Sequence, residues 1–254
     1  MNKQKNRELL YAQLALDYHA GPEDFCTPGI VLTEPALCPG RRAYSTELPF
    51  LELVTTGQAA VLMADPRLHP ALEEWLKGVE ESHWLLEFPR LLSLSRLLEP
   101  YGYELTQTHH GYLPAENLSP TFPPKGFSLC WLERGEIDRF YPNKAWPNAL
   151  QERENPARPD MLALAAMDGE SIAGLAGVSA DGELLWQIGI DVLPEYRSRG
   201  LGTLLVRNLA AELAQRGKLP FYYSSLSNLH SQSIALGCGF RPAWVDISAR
   251  KREV

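Results

Sequence analysis

The run Arg197-Ser198-Arg199-Gly200-Leu201-Gly202-Thr203 has the composition of an anion-binding turn. Two glycines let a ligand approach the main chain without meeting a Cβ. Two arginines add full positive charge beside them. The flanking elements fix where this charge is presented. Leu184 to Val192 is largely apolar, with β-branched Ile188, Ile190 and Val192, which suits a buried strand. Pro194 ends it, because proline has no N–H for a ladder. From Thr203 onward Leu204, Leu205, Leu209, Ala210 and Leu213 recur at helical spacing, and Gly217 is a stop signal. Strand, glycine turn and helix in that order aim unbonded amides and the positive end of a helix dipole at one point. The ligand expected there carries a phosphate or pyrophosphate. The plainer reading is an ordinary strand-to-helix turn with surface arginines.

The nucleotide P-loop needs a Gly-Lys-Ser/Thr ending and the dinucleotide fingerprint needs three glycines in a wider spacing; neither is present. What stands here is Val192-x-Pro194-x-x-Arg197-x-x-Gly200-x-Gly202. It resembles the coenzyme A signature of the GNAT superfamily of N-acetyltransferases, whose core is Gln/Arg-x-x-Gly-x-Gly/Ala. Downstream, Asn228-x-x-Ser231-x-x-Ile234-Ala235-x-x-x-Gly239-Phe240 resembles the family's second signature, Asn-x-x-Ala-x-x-Leu-Tyr-x-x-x-Gly-Phe. The resemblance covers roughly the last 130 residues. It implies a GNAT fold of the α/β (α+β) class, a mixed and mostly antiparallel sheet flanked by helices. It also implies direct transfer of an acetyl group from acetyl-CoA, as cosubstrate, to a primary amine of a small molecule or peptide, without a metal. By the same resemblance the backbone of Ile190, Asp191 and Val192 pairs with the pantetheine, and the Val192 amide polarises the thioester carbonyl. Arg197, Ser198, Arg199, Gly200, Leu201, Gly202 and Thr203 hold the pyrophosphate, and Asn228 and Ser231 border the cofactor arm.

Two proton transfers remain: an ammonium must lose a proton before it attacks, and the departing thiolate needs one. The family commonly supplies the second from a tyrosine at the position occupied here by Ala235. Stand-ins are Tyr222, Tyr223, His230 and Cys238. Alternation along a strand predicts that only one of Tyr222 and Tyr223 faces the cleft, and His230 also reads as a plain surface histidine. For the base, Glu183 and Asp191 lie on the strand that precedes the turn. Glu183 also reads as exposed turn surface, and Asp191 as a tie to the adjacent loop. Gln187 can hydrogen-bond a substrate but is no base. The missing tyrosine keeps a second function open, a catalytically inactive acyl-CoA-binding sensor.

The 254 residues suffice for two domains. The net charge of −7 predicts neither a nucleic-acid nor a membrane partner. The four scattered cysteines have no metal-ligand spacing, and a polar opening segment makes the cytoplasm the default location. Monomer and homodimer both stay open. The expected division is 1–124, an α+β domain that is either a degenerate GNAT-like copy or an unrelated cap, and 125–254, the acetyltransferase domain. In the first part helices are expected over Lys5–Tyr18, Leu68–Lys77 and Leu91–Leu98. Strands are expected over Phe50–Thr55, Gln58–Ala64 and Tyr103–Thr108, with a further apolar segment at Trp84–Phe88. Residues 20–49 read as irregular loop, and 111–126 as the linker. His109 and His110, adjacent on a strand, should face opposite ways; one is either packed or lines a substrate cleft. In the second part helices are expected over Glu133–Phe140, Trp146–Arg153 and Asn228–Leu236, and a hairpin at Asp168-Gly169.

Overall fold

The segment Ala59–Ala64 has no polar side chain and is buried at every position. Its alternate residues serve two cores: Ala60, Leu62 and Ala64 pack with one group of helices, and Val61 and Met63 with another. A strand this apolar needs cover on both faces, and the computed structural model provides it. The structure describes residues 3–42, 44, 46–116 and 118–253. In chain order the elements are α1 (Lys3–Tyr18), β1 (Gly29–Thr33), β2 (Leu51–Thr55), β3 (Ala59–Ala64), α2 (His69–Leu76), α3 (Phe88–Leu98), β4 (Tyr103–Leu105) and β5 (His109–Pro114). There follow β6 (Ser128–Glu133), α4 (Arg134–Ile137), β7 (Asp160–Asp168), β8 (Ser171–Ser179), β9 (Leu185–Val192), α5 (Leu201–Gln215), β10 (Leu219–Ser225), α6 (Leu229–Gly237) and β11 (Phe240–Lys251).

The strands form one mixed sheet in the order β1-β3-β2-β11-β5-β10-β9-β8-β7-β6, with β4 paired to the far end of β11. Only β1 with β3 and β9 with β10 run parallel among the described pairs. Leu162, Leu164 and Ala166 of β7 pack with Leu205 and Leu209 of α5 on one face. Ala163 and Ala165 face Ile137 of α4 and Trp146 on the other. On that second face, α1 lays Leu10, Leu14 and Tyr18 against Phe221 and Trp244. No helix among the described residues is long and apolar enough to cross a membrane.

Four expectations are corrected. Residues 20–49 contain a strand, β1, whose short Ile-Val-Leu run is hidden in sequence by flanking prolines and glycines. Trp84–Phe88, which the reading of the first part as a degenerate GNAT-like copy takes as a strand, begins within a 3-10 turn, Ser82–Leu86. Trp146–Arg153 is a chain of turns, because Asn143 captures the amide of Trp146 and the carbonyls of Trp146 and Leu150. The segment 111–126 is not a plain linker: its first residues belong to β5, which lies between β10 and β11. The glycine that made β5 look like a turn is a packing requirement. A Cβ on Gly111 would lie 2.0 Å from the ring of Trp244.

Candidate functional site

β9 and β10 pair only from Leu185↔Leu219 to Ile188↔Tyr222. Beyond that point β10 pairs with β5, through Tyr222↔Tyr112 to Ser225↔His109, while β9 stays with β8 through Val192. The two parallel strands therefore splay, and a cavity of about 610 Å³ opens between Gly189–Val192 and Tyr223–Ser225. Because the gap passes through the sheet, both Tyr222 and Tyr223 line it, from opposite faces. This corrects the expectation that only one would. One wall is the segment 147–151, which lies directly on the sheet. Cβ atoms on Gly189 and Gly177 would meet the carbonyl oxygens of Asn148 and Ala149 at 1.8 and 2.0 Å. Asp191 fixes this wall. It accepts the Asn148 amide at 2.8 Å, the Ala149 amide at 2.9 Å and the Asn148 side-chain amide at 2.6 Å. With both oxygens so engaged, Asp191 is a tie rather than a free base, as one of its two sequence readings has it.

Beyond the end of β9 the chain turns through Arg197–Gly200 into α5. Ser198 and Gly200 both have positive φ, 61° and 77°, and Gly200 caps α5 without a side-chain bond. The first internal bond of α5 is donated by Leu204 to Gly200, so the amides of Leu201, Gly202 and Thr203 precede the ladder. Nothing lies within 4 Å of the space a Gly200 Cβ would take. Arg197 donates Nε to the Val192 carbonyl and lines the cavity, and Arg199 lies over the Tyr196 ring. Ile190 and Val192 turn their side chains into the core beside α5, leaving their main chain unpaired on the β10 side. Leu201 is buried.

Asn228 caps α6 by accepting the Ser231 amide at 3.1 Å, and both residues line the cavity. One turn on, Ala235 is fully buried with Tyr222 in the same core. The Tyr222 phenol instead reaches the first turn of α6: burial raises it to about 12, tempered by a hydrogen bond with Ser231. His230 is exposed at the cavity mouth. Cys238 is buried, its thiol pushed up to about 12 by burial and donated to the Thr203 carbonyl, so it is not among the cavity residues. Glu183 is corrected: it is exposed in the turn before β9, away from the cavity, and only its main chain is held, by Gly40 and Lys218. Gln187 lines the cavity and accepts a long hydrogen bond, 3.4 Å, from the Tyr44 hydroxyl.

On the face opposite α5 the cleft continues into a second cavity of about 260 Å³, with His109 and Tyr223 common to both. Tyr223 donates to Asp246 Oδ1, and Trp244 Nε1 donates to Oδ2 at 2.9 Å. His109 stacks on Tyr223 with ring centres 4.7 Å apart, whereas His110 faces the other side of the sheet. Glu52 of β2 sits diagonal to Asp246 across the β2–β11 ladder. Burial pushes Glu52 up to about 7, against the pull of Arg41 and Arg42 and helped by Asp17 and Asp246. Burial likewise raises Asp246. Glu52 and Asp246 were missed in the sequence. The signal was present: each is a lone carboxylate inside an apolar strand, in Leu51-Glu52-Leu53-Val54 and Val245-Asp246-Ile247.

A raised carboxyl makes stability depend on pH. Between 4.5 and about 7 the folded protein keeps a proton on Glu52 that the unfolded chain has released, so stability falls as pH rises through that window. Melting temperatures measured across it should decline in the parent protein and decline less in Glu52→Gln. Equal slopes would show that Glu52 is not the group responsible.

Residues 127–240 match the family model described as the acetyltransferase (GNAT) family. Among solved structures, a GCN5-related N-acetyltransferase from Sphaerobacter thermophilus is 14% identical. The match covers 98% of this chain and 94% of that one, with a TM-score of 0.50. A Drosophila protein is 13% identical over 99% of this chain and 90% of that one, with a TM-score of 0.51. A tandem GNAT protein from the clavulanic acid biosynthesis pathway is 14% identical over 99% and 97%, with a TM-score of 0.48. None of the curated proteins compared with the chain matches it. The two signatures, the splayed parallel strands and the family match coincide on one stretch, residues 127–240, which is similar to the GNAT family of acetyltransferases.

Proposed function

We propose that the chain transfers an acetyl group from acetyl-CoA to the primary amine of a small molecule or peptide, with both substrates bound at once. The observation that carries this reading is the splay of β9 from β10 beyond Ile188–Tyr222, ending on the unbonded amides of α5. The residues fit the thioester carrier. Unpaired main chain at Ile190–Val192 suits the pantetheine amides, and the Arg197–Thr203 turn suits a pyrophosphate. When bound, acetyl-CoA supplies an activated carbonyl carbon. The C–N bond to the amine forms as the C–S bond breaks and the sulfur leaves with the electron pair.

The chain moves the two protons. On the acceptor side Tyr223 Oη takes the proton of the attacking nitrogen as it gives its own to Asp246 Oδ1, an acceptor made more basic by burial. On the carrier side the Tyr222 phenol, placed beside α6 where Ala235 leaves room, protonates the thiolate. Holding both reactants in one cleft supplies much of the rate enhancement. Tyr222→Phe should lower kcat by roughly a hundredfold or more with little change in acetyl-CoA affinity; an unchanged kcat would remove Tyr222 from this role.

The reading is tested by calorimetry with acetyl-CoA and by thiol release on offering a panel of amines. Ala235 at the usual acid position favours a second reading, an acyl-CoA-binding sensor without turnover. The sensor would gain thermal stability from acetyl-CoA but release no thiol with any amine.

A further inference from the structure

The second cavity contains a buried cation with hydrogen-bonding capacity left over. Arg42 is 5% exposed at its side chain and bonds Asp17 through Nε at 2.5 Å. Both oxygens of Asp17 are engaged, by that bond, by the Arg42 amide and by Gln13. The rings of Tyr44, Phe221 and Trp244 hold the guanidinium from three sides, at 5.6, 5.9 and 5.4 Å. Yet Arg42 Nη1 finds no acceptor among the described residues, and neither do the buried Nε and Nη1 of Arg41 beside it. A buried charged donor without an acceptor is costly, and both arginines line the cavity, so the pair marks a place for an oxyanion. Glu52 and Asp246 line the same cavity, with Tyr223 and His109 at the passage to the acetyl-transfer cleft. Cation donors and carboxylates that share one space of about 260 Å³ complement one molecule bearing both charges.

Resting on the acetyl-transfer reading above, we infer that this cavity is the acceptor site and that the acceptor is a small amino-carboxylate. Its carboxylate lies against Arg41 and Arg42, and its amine against Glu52, Asp246 and Tyr223. The cavity is walled by both halves of the chain: Arg41, Arg42 and Glu52 come from the first, Tyr223 and Asp246 from the second. The first half therefore supplies the recognition that the transfer cleft lacks. A peptide amine without a nearby anion would leave the arginines unsatisfied, so free amino acids are favoured over peptides and over plain amines.

The experiment offers the protein each proteinogenic amino acid beside the amine left when its carboxylate is removed. Thiol release and binding heat are read in the presence and absence of acetyl-CoA. At least one amino acid should bind and react with kcat/KM tenfold or more above its decarboxylated partner, and R41Q should shrink that ratio at least fivefold. Arg41 is only partly buried and outside the Asp17 ion pair, so R41Q is expected to fold; an unaltered melting temperature and acetyl-CoA affinity confirm it. If every amine equals or exceeds its amino acid in both binding and turnover, or if R41Q leaves the ratio unmoved, the inference fails while the acetyl-transfer reading survives. If the parent protein shows no heat with acetyl-CoA, it is the earlier reading that fails. Binding of the amino acids alone then decides the present one.

Discussion

Gly200→Asp is expected to weaken acetyl-CoA binding by about ten- to a hundredfold while leaving the protein folded. The position has open space around its missing Cβ and a φ of 77°. Aspartate tolerates that left-handed conformation better than most residues, at a cost of about 1 kcal/mol. For a chain of this length that is a loss of roughly 2–4 °C in melting temperature. The carboxylate, however, would stand at the amides of Leu201–Thr203, next to where a diphosphate belongs. Two like charges about 4 Å apart repel by about 1 kcal/mol in water and several-fold more near a protein surface, and a diphosphate carries more than one charge. Gly200→Asn carries the same backbone strain without the charge and separates the two effects. The measurement is calorimetry with acetyl-CoA at low and high salt. Gly200→Asp should recover part of its affinity as salt screens the repulsion, while Gly200→Asn should stay close to the parent. Equal affinity in all three proteins would place the diphosphate elsewhere.

Gly189→Ala is expected to have the larger structural effect, although it adds one methyl group in the middle of a strand. The new Cβ would lie 1.8 Å from the Asn148 carbonyl oxygen, a main-chain atom with no rotamer to escape into. The segment 147–151 would have to lift from the sheet, straining the three hydrogen bonds on Asp191. Overpacking of this kind costs about 1–3 kcal/mol, or roughly 2–12 °C in a chain of this length. Since 147–151 is also a wall of the cleft, thiol release should fall alongside stability. A melting curve and rate indistinguishable from the parent would mean that the loop and sheet are not in contact at this point.

Gly189 also illustrates what a sequence hides. Within Gln187-Ile188-Gly189-Ile190 it reads as a weak point in a strand, and nothing local announces that a loop forty residues upstream rests upon it. The carrier half of the site was legible because its parts are contiguous. Arg197–Thr203 is one turn, and Asn228 to Phe240 is one helix with its exit, so each could be matched as a unit to a signature that it resembles. Of the acceptor half, Tyr223 and a histidine of the 109–110 pair were candidates in the sequence but Arg42, Glu52 and Asp246 were not, because the five come from four strands and a loop drawn from both ends of the chain. Only register brings them together, Asp246 opposite His109 and Val54, and His109 opposite Ser225. Asp191 was read as a base or a tie from its place next to the turn, and the choice lay with a loop that sequence periodicity made helical. Asn143, which holds that loop in turns, bonds across distances of three to seven residues that a helical pattern does not reveal.

β5 is flanked by β10 and β11, and β11 in turn is the only link among the described strands between that part of the sheet and β2. On the ribosome this imposes a schedule. β5 is made more than a hundred residues before either neighbour, and it must wait with both edges bare until residues 219–251 have been synthesised. The arginines and Glu52, all from the first half of the chain, meet Asp246 only when β11 docks. A nascent chain therefore has no assembled acceptor pocket, and a holdase that shields β5 during translation would govern how much active protein is recovered.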